Sequence, residues 1–272
     1  MTYIIKASGQ KERFNPKKIS QTVIKAGATR DVAQQVSQIV GKKIKPGDKS
    51  EKILNLTLKS LHKYPEIAAR YDLKRAIMNL GPSGFPFEKY FARVLEEYGY
   101  KTEVGRILNG KNITHEVDVV AKRIKDKKRY MVECKYHNYL GNYTNVQTVL
   151  YVYARFLDLK GFEFPWVVTN THCSRDALNY AKGVKMKITS WDYPKGESLQ
   201  ELITKKGLYP ITIIREVNQK TKMSLFAAKI MMLKDLIDYD VKRLRKKTGL
   251  SEKILKGIIR GAREICGVGN GR

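Results

Sequence analysis

Acidic residues are scarce in this chain. Its 272 residues carry 26 Asp and Glu against 53 Lys and Arg, a formal net charge of +27 with a pI of 9.9. Such an excess draws a polyanion to the surface. Nucleic acid is the first candidate, because each neutralised phosphate releases counterions. A basic surface of the thermophile kind, with no anionic partner, is the other reading. Long apolar runs are missing: no stretch reaches the ~18 consecutive apolar residues of a membrane-spanning helix, so no membrane partner is expected. The opening Met1-Thr2-Tyr3-Ile4-Ile5-Lys6 lacks an apolar h-region, so export is not expected. Cysteine is rare. Cys134, Cys173 and Cys266 are odd in number and far apart, which excludes a disulfide framework and a CxxC metal site and fits a reducing, cytoplasmic setting. There is no GxxxxGK[ST], so P-loop ATP hydrolysis is not expected. Internal repeats and low-complexity segments are absent as well. What remains, 42% hydrophobic and 29% charged, is an ordinary globular composition of about two domains, with room for a small third.

The charge is spread along the whole chain. Residues 1–80 hold 17 basic and 6 acidic side chains, residues 81–222 hold 24 and 15, and residues 223–272 hold 12 and 5. The first part reads as two short strands around Ser8-Gly9-Gln10, then a helix started by Asn15-Pro16. Further helices are expected at 30–42, 50–63 and 66–79, with a turn at Lys45-Pro46-Gly47-Asp48. Gly81-Pro82-Ser83-Gly84 marks a boundary. Beyond it come a helix over 87–98, strands over 101–108, 116–123 and 129–136, and a helix over 144–157. A buried strand over 164–169, a helix over 174–182 and a strand over 186–189 follow. Leu225, Ala228 and Met232 give helical spacing in the tail. Two short helices follow it, parted by Thr248-Gly249-Leu250-Ser251.

The chemistry concentrates in Glu116-Val117-Asp118 and Glu133-Cys134-Lys135. Glu133 and Lys135 are two apart and share one face of their strand. Two carboxylates and a lysine on one face can hold a hard divalent cation and orient a water. Mg²⁺ suits this role, and Lys135 would stabilise the hydroxide or the charge on the phosphorane. The competing reading is a cross-strand salt-bridge ladder on a solvated face. The apolar residues flanking both strands and the polycationic chain favour the site, because unpaired acids in a core-like setting are costly.

Residues 81–205 resemble the Mrr-like branch of the PD-(D/E)XK, restriction-endonuclease-like nucleases. The matching residues are Gly84-Phe85-Pro86-Phe87-Glu88, Glu116-Val117-Asp118 and Glu133-Cys134-Lys135, with Val167-Val168-Thr169-Asn170 and Ala177-Leu178-Asn179-Tyr180-Ala181 downstream. The resemblance implies an α/β fold with a mixed sheet flanked by helices, and Mg²⁺- or Mn²⁺-dependent hydrolysis of DNA. Asp118, Glu133 and the Cys134 backbone carbonyl would be metal ligands, Lys135 the catalytic lysine, and Glu88 an outer or second-metal ligand. The Cys134 side chain would point away as a small buried hydrophobe. Gln147 is a DNA-contact candidate on the next helix. Arg155 would bind phosphate or pair with an acid. His115 and Glu116 precede Asp118; Glu116 reads equally as a metal or DNA contact and as a solvated edge residue, His137 as a surface histidine, and Tyr136, Tyr139 and Tyr143 as base-stacking or packing residues.

Residues 3–75 resemble the ATP-cone domain, a mostly α nucleotide-sensing module. The match rests on Ile4-Ile5-Lys6-Ala7-Ser8-Gly9, Glu12-Arg13-Phe14-Asn15-Pro16-Lys17-Lys18-Ile19, Lys49-Ser50-Glu51-Lys52-Ile53 and Ala69-Arg70-Tyr71. It implies ATP or dATP as an effector. Lys6 and Lys18 would face phosphates, Glu12 and Asn15 the base or ribose edge, and Ser50 the adenine. Ala7 stands where the family has an arginine. An ATP-cone fold without nucleotide, serving DNA binding or dimerisation, is the alternative. The small α tail, with Arg245, Lys246 and Lys247 ahead of Thr248-Gly249-Leu250-Ser251, looks like a helix-hairpin-helix element for DNA phosphates; a plain packing hairpin reads as well.

The expected protein is therefore an ATP-cone domain (1–80), a nuclease domain (81–222) and a basic helical element (223–272), together a metal-dependent DNA endonuclease in defence or repair. A non-catalytic, nucleotide-responsive DNA-binding regulator and a Holliday-junction-type nuclease are the alternatives. A double-strand cut would call for a homodimer.

Overall fold

The computed structural model describes residues 2–6 and 9–268. Ala7, whose identity bears on nucleotide binding, lies outside the described residues. The chain packs as two units: residues up to Ala76 together with those from Ile213 onward, and Ile77–Thr212.

In the first unit, β1 (Tyr3–Ile5) pairs with antiparallel β2 (Lys11–Arg13). Asn15 then caps α1 (Pro16–Lys25): its side chain accepts from Lys17 N at 3.0 Å and Pro16 sits in the first turn. Thr29 caps α2 (Arg30–Lys43) in the same way. The turn at 45–48 leads into β3 (Asp48–Lys49), which the sequence reading missed because two residues carry no periodicity. It adds to β1 in parallel. Two helices follow, α3 (Ser50–Ser60) and α4 (Pro65–Met78). Ile4, Ile19, Val23, Val36, Val40 and Leu61 make the core between them.

The second unit is built on a five-stranded mixed sheet. After α5 (Phe85–Glu97) come β4 (Tyr100–Asn109), β5 (Thr114–Arg123) and β6 (Arg129–Lys135) as an antiparallel meander. The short β7 (Tyr143–Thr144) precedes α6 (Val146–Asp158), capped by Asn145. Next come β8 (Phe164–Thr169), β9 (His172–Cys173), α7 (Arg175–Gly183) and β10 (Lys187–Thr189). The order is β10-β8-β6-β5-β4, with β10, β8 and β6 parallel. β8 lies inside the sheet between β10 and β6, with β6 at the centre, and is buried from Pro165 to Thr169, as its continuous apolar run requires. Strands β7 and β9 form a separate parallel pair. A capping box, Ser198 with Glu201, starts α8 (Leu199–Lys205). One side of the sheet packs Trp166 against Phe91, Tyr100 and Tyr130. The other packs Met131 and Val167 against Val149 and Val152 of α6.

The chain then returns to the first unit through a 3₁₀ turn (Ile211–Ile213) and α9 (Gln219–Ala227). The helix expected through Met232 stops at Ala227, and Lys229 adopts a left-handed conformation (φ +62°) that no continuous helix accepts. α10 (Lys234–Ile237) follows, then α11 (Val241–Thr248) and α12 (Glu252–Ile265). Gly249, at φ +68°, ends α11, and Ser251 caps α12. Leu244, Leu255, Ile258 and Ile259 are the buried faces of this pair.

Candidate active site

The sheet gathers four of the sequence candidates. Glu88 comes from the first turn of α5, Asp118 from the middle of β5, and Glu133 and Lys135 from the end of β6. The β5–β6 ladder explains how Asp118 is aimed. Its register runs from Lys122↔Arg129 to Val119↔Val132 and goes no further. Beyond that point the Asp118 carboxylate replaces the backbone partner: Cys134 N donates to Asp118 Oδ2 at 2.7 Å. Glu133 is buried. Lys135 Nζ donates to its Oε1 at 2.7 Å and Arg155 Nη1 to its Oε2 at 2.6 Å.

The electrostatics show carboxylates short of counter-charge. Burial, then the carboxylates of Asp118, Glu116 and Glu133, push the Glu88 carboxyl up to about 7. Burial and Glu133 push Asp118 up to about 6, against the Cys134 N–H bond and the Lys135 and Arg155 charges. A divalent cation would relieve this repulsion. Among the described residues, no three His, Cys, Asp or Glu side chains form a ready cation cage. Mg²⁺ does not need one: it takes one or two carboxylates and fills its shell with carbonyl, water and phosphate oxygens. Asp118, Glu133, the Cys134 carbonyl and Glu88 are donors of that kind, so the set fits Mg²⁺ or Mn²⁺. The Cys134 side chain is buried, and burial first, then the carboxylates around it, push its thiol well up.

Several neighbours have roles that the sequence did not reveal. Gly105 takes φ +64° inside β4, at the position whose register partner would be Asp118. A strand glycine in this conformation kinks the edge beside the acids. Tyr136 packs its ring on Phe87; its hydroxyl accepts from Gly81 N at 2.8 Å and donates to the Met78 carbonyl. Fully buried Asn170 accepts from His137 N at 2.8 Å and donates to His137 O at 2.9 Å, fixing the chain just after Lys135. Burial and Lys135 hold the His137 imidazole below its ordinary pKa. His115 is buried and bonds Asp158 at 2.8 Å, so it serves the hairpin. Glu116, Gln147, Tyr139 and Tyr143 are exposed. Arg155 is turned inward onto Glu133 and the Glu116 carbonyl.

Lys6, Glu12, Asn15, Lys18 and Ser50 line one cleft of about 240 Å³ in the first unit, with Phe14, Ile53 and Tyr71. Glu12 bridges both lysines, at 2.6 Å from Lys6 and in close contact with Lys18, and these bonds, Lys18 first, lower its pKa. Arg245, Lys246 and Lys247 are exposed on the last turns of α11. No helix among the described residues is long and apolar enough to cross a membrane.

Three family matches tile the chain. Residues 2–78 match the ATP cone domain, 81–203 the restriction endonuclease domain of the Mrr catalytic type, and 209–266 the AF1548-like C-terminal region. An uncharacterised protein of Archaeoglobus fulgidus is 41% identical over 178 residues, 65% of this chain and 99% of that protein. The crystal structure of AF1548, a protein of unknown function, overlays with a TM-score of 0.62 at 38% identity, over 68% of this chain and 99% of that one. The MspJI restriction endonuclease bound to a 27-mer oligonucleotide overlays with a TM-score of only 0.30 at 14% identity, over 84% of this chain and 48% of that one. That overlay is too loose to bear on function.

Proposed function

Because the chain belongs to the AF1548-like family and carries both an ATP cone and a restriction-endonuclease-like domain, we propose that it is a divalent-metal-dependent DNA endonuclease under nucleotide control. The carrying observation is the convergence of Glu88, Asp118 and Glu133 beside Lys135, with Glu88 and Asp118 raised in pKa by burial first and then by the neighbouring carboxylates. Asp118, Glu133, the Cys134 carbonyl and Glu88 would hold Mg²⁺ or Mn²⁺. The bound cation would supply an activated water and offset phosphate charge. Lys135 orients that water or balances the charge growing on the phosphorus-bound oxygens. Asn170 and Tyr136 keep the segment after Lys135 in place.

The net charge of +27 supports DNA as the substrate. The basic tail, with Arg245, Lys246 and Lys247, adds sequence-independent phosphate contacts, and Gln147 stands exposed at the start of α6 to meet the duplex. The cleft around Lys6, Lys18, Asn15 and Ser50 takes ATP or dATP, whose phosphates must displace Glu12 from the two lysines. We read the chain functionally as a sensor (1–80), a nuclease (81–222) and a DNA-holding tail (223–272), working in the cytoplasm. A homodimer is required if both strands are cut.

The test is cleavage of supercoiled plasmid by wild type and Asp118→Asn, with Mg²⁺ or EDTA, with and without ATP or dATP. Expected are Mg²⁺-dependent nicking, its loss in Asp118→Asn, and a rate that changes with nucleotide. Tight, salt-sensitive DNA binding with no cleavage of plain, modified or branched DNA would instead make the protein a non-catalytic regulator.

A further inference from the structure

Arg155 is the one side chain of α6 that reaches the acidic cluster by a hydrogen bond among the described residues. It is 8% exposed. Its Nη1 donates to Glu133 Oε2 at 2.6 Å and its Nη2 to the backbone carbonyl of Glu116. Glu133 belongs to β6, and Glu116 lies two residues before Asp118 on β5. Past Val119↔Val132 no ladder pair spans these strands. Two side-chain links cross the gap instead: Asp118 to the Cys134 N–H, and the planar guanidinium of Arg155. A guanidinium has a fixed fork of donors, so it sets a distance that a flexible ammonium cannot. Its Nε is buried with no hydrogen-bond partner, the one such side-chain atom among the described residues. An orphaned buried donor is costly, and the fold bears that cost to keep both acceptors bridged.

We infer that Arg155 is a positioning residue, which fixes Glu133 and the Asp118 arm of β5 at the spacing a divalent cation needs. This rests on the metal-nuclease reading above. One Glu133 oxygen stays on Arg155. The other, now on Lys135, is the one left to turn toward a cation.

Arg155→Lys and Arg155→Gln test the inference in the full-length protein. Lys keeps the charge but cannot reach both acceptors, and Gln removes the charge. The readouts are Mn²⁺ binding without DNA, by EPR of the free ion, the Mg²⁺ concentration for half-maximal plasmid nicking, and circular dichroism for the fold. We expect folded variants whose Mn²⁺ affinity falls by about 10- to 100-fold, as for groups that orient a metal ligand. Half-saturating Mg²⁺ should rise in step, with Lys recovering more of the saturated rate than Gln. An unchanged Mn²⁺ isotherm in a folded variant overturns the inference. So does loss of fold in both variants, if added guanidinium restores no Mn²⁺ binding. If wild type binds Mn²⁺, the variants weaken it and nothing cuts DNA, the nuclease reading fails and Arg155 keeps its role. If wild type cuts and the variants behave identically, only the role of Arg155 falls. A wild type that binds no Mn²⁺ removes both.

Discussion

At the scale of single residues, Asp118 carries the sharpest consequence. Its carboxyl is raised from 3.8 to about 6, so the folded protein keeps a proton that the unfolded chain releases. The native state thus binds more protons across that window, and the Asp118 contribution to stability falls as pH rises from about 4 through 6. Asp118→Asn removes the charge and leaves an amide oxygen for the Cys134 N–H. Without metal, the variant should therefore melt above wild type at pH 7, and the gap should close toward pH 4. Mg²⁺ should raise the melting temperature of wild type at pH 7 and leave the variant unmoved. Scanning calorimetry at three pH values decides it. A gap that does not change with pH would mean that burial and Glu133 do not raise the Asp118 carboxyl. Asn170 makes a purely structural case. Asn170→Ala leaves the partly buried N–H and C=O of His137 without their partner and should cost about 1–3 kcal/mol in urea unfolding. Asp118 and the Glu133–Lys135 pair were legible in the sequence because strand spacing alone puts Glu133 and Lys135 on one face. Arg155 was readable as pairing with an acid, but not that the acid is Glu133. Arg155 lies 22 residues on, and only the laying of α6 across the sheet turns it inward.

At the scale of elements, the β4–β5 hairpin brings Asp118 of interior strand β5 beside β6, and the end of α6 holds the hairpin turn. Asp158 accepts from His115 Nε2 at 2.8 Å and from Asn112 N at 3.0 Å, and the His115 bond first, then the Asn112 side-chain amide and the Ile113 and Asn112 backbone N–H groups, lower its carboxyl to about 2. The staple therefore stays charged through the whole neutral range. Asp158→Ala should speed amide exchange at residues 110–115 while β6 and β8 stay protected; equal protection in both proteins would mean the turn holds itself. Gly105 bears on the same hairpin. Gly105→Ala puts a Cβ on a left-handed backbone at a cost of about 1–2 kcal/mol, and cleavage should fall with it as β4 straightens beside Asp118. Elements with a cap and a period were readable: Asn15-Pro16, Ser174 and Ser251 all start helices where expected. The pieces that were not, β3, β7 and β9, are two residues long and exist only through their partners. The α8 signal, Ser198 followed by Glu201, was in the sequence and went unread.

At the scale of the whole molecule, the first and last parts of the chain belong to one unit. Buried Asp72 of α4 shows why composition could not reveal this: it pairs with Arg75 at 2.7 Å and with Arg215, 143 positions away, at 3.1 Å. Net charge, by contrast, is read directly from the residues, and it fixes how DNA binding must respond to salt. Each phosphate neutralised adds about 0.9 to the slope of log affinity against log salt. Arg245, Lys246 and Lys247 are exposed on a helix end, with Lys242 and Arg243 also exposed one turn before. Under the proposed role of the tail, replacing all three by Ala should flatten the slope by about 2–3, while the dependence on DNA sequence stays unchanged. Fluorescence anisotropy on a duplex and a scrambled duplex, between about 50 and 200 mM salt, measures both. A plain packing hairpin would leave the slope where it was. A changed sequence preference would mean that the tail reads base edges as well as phosphates, which overturns the sequence-independent role.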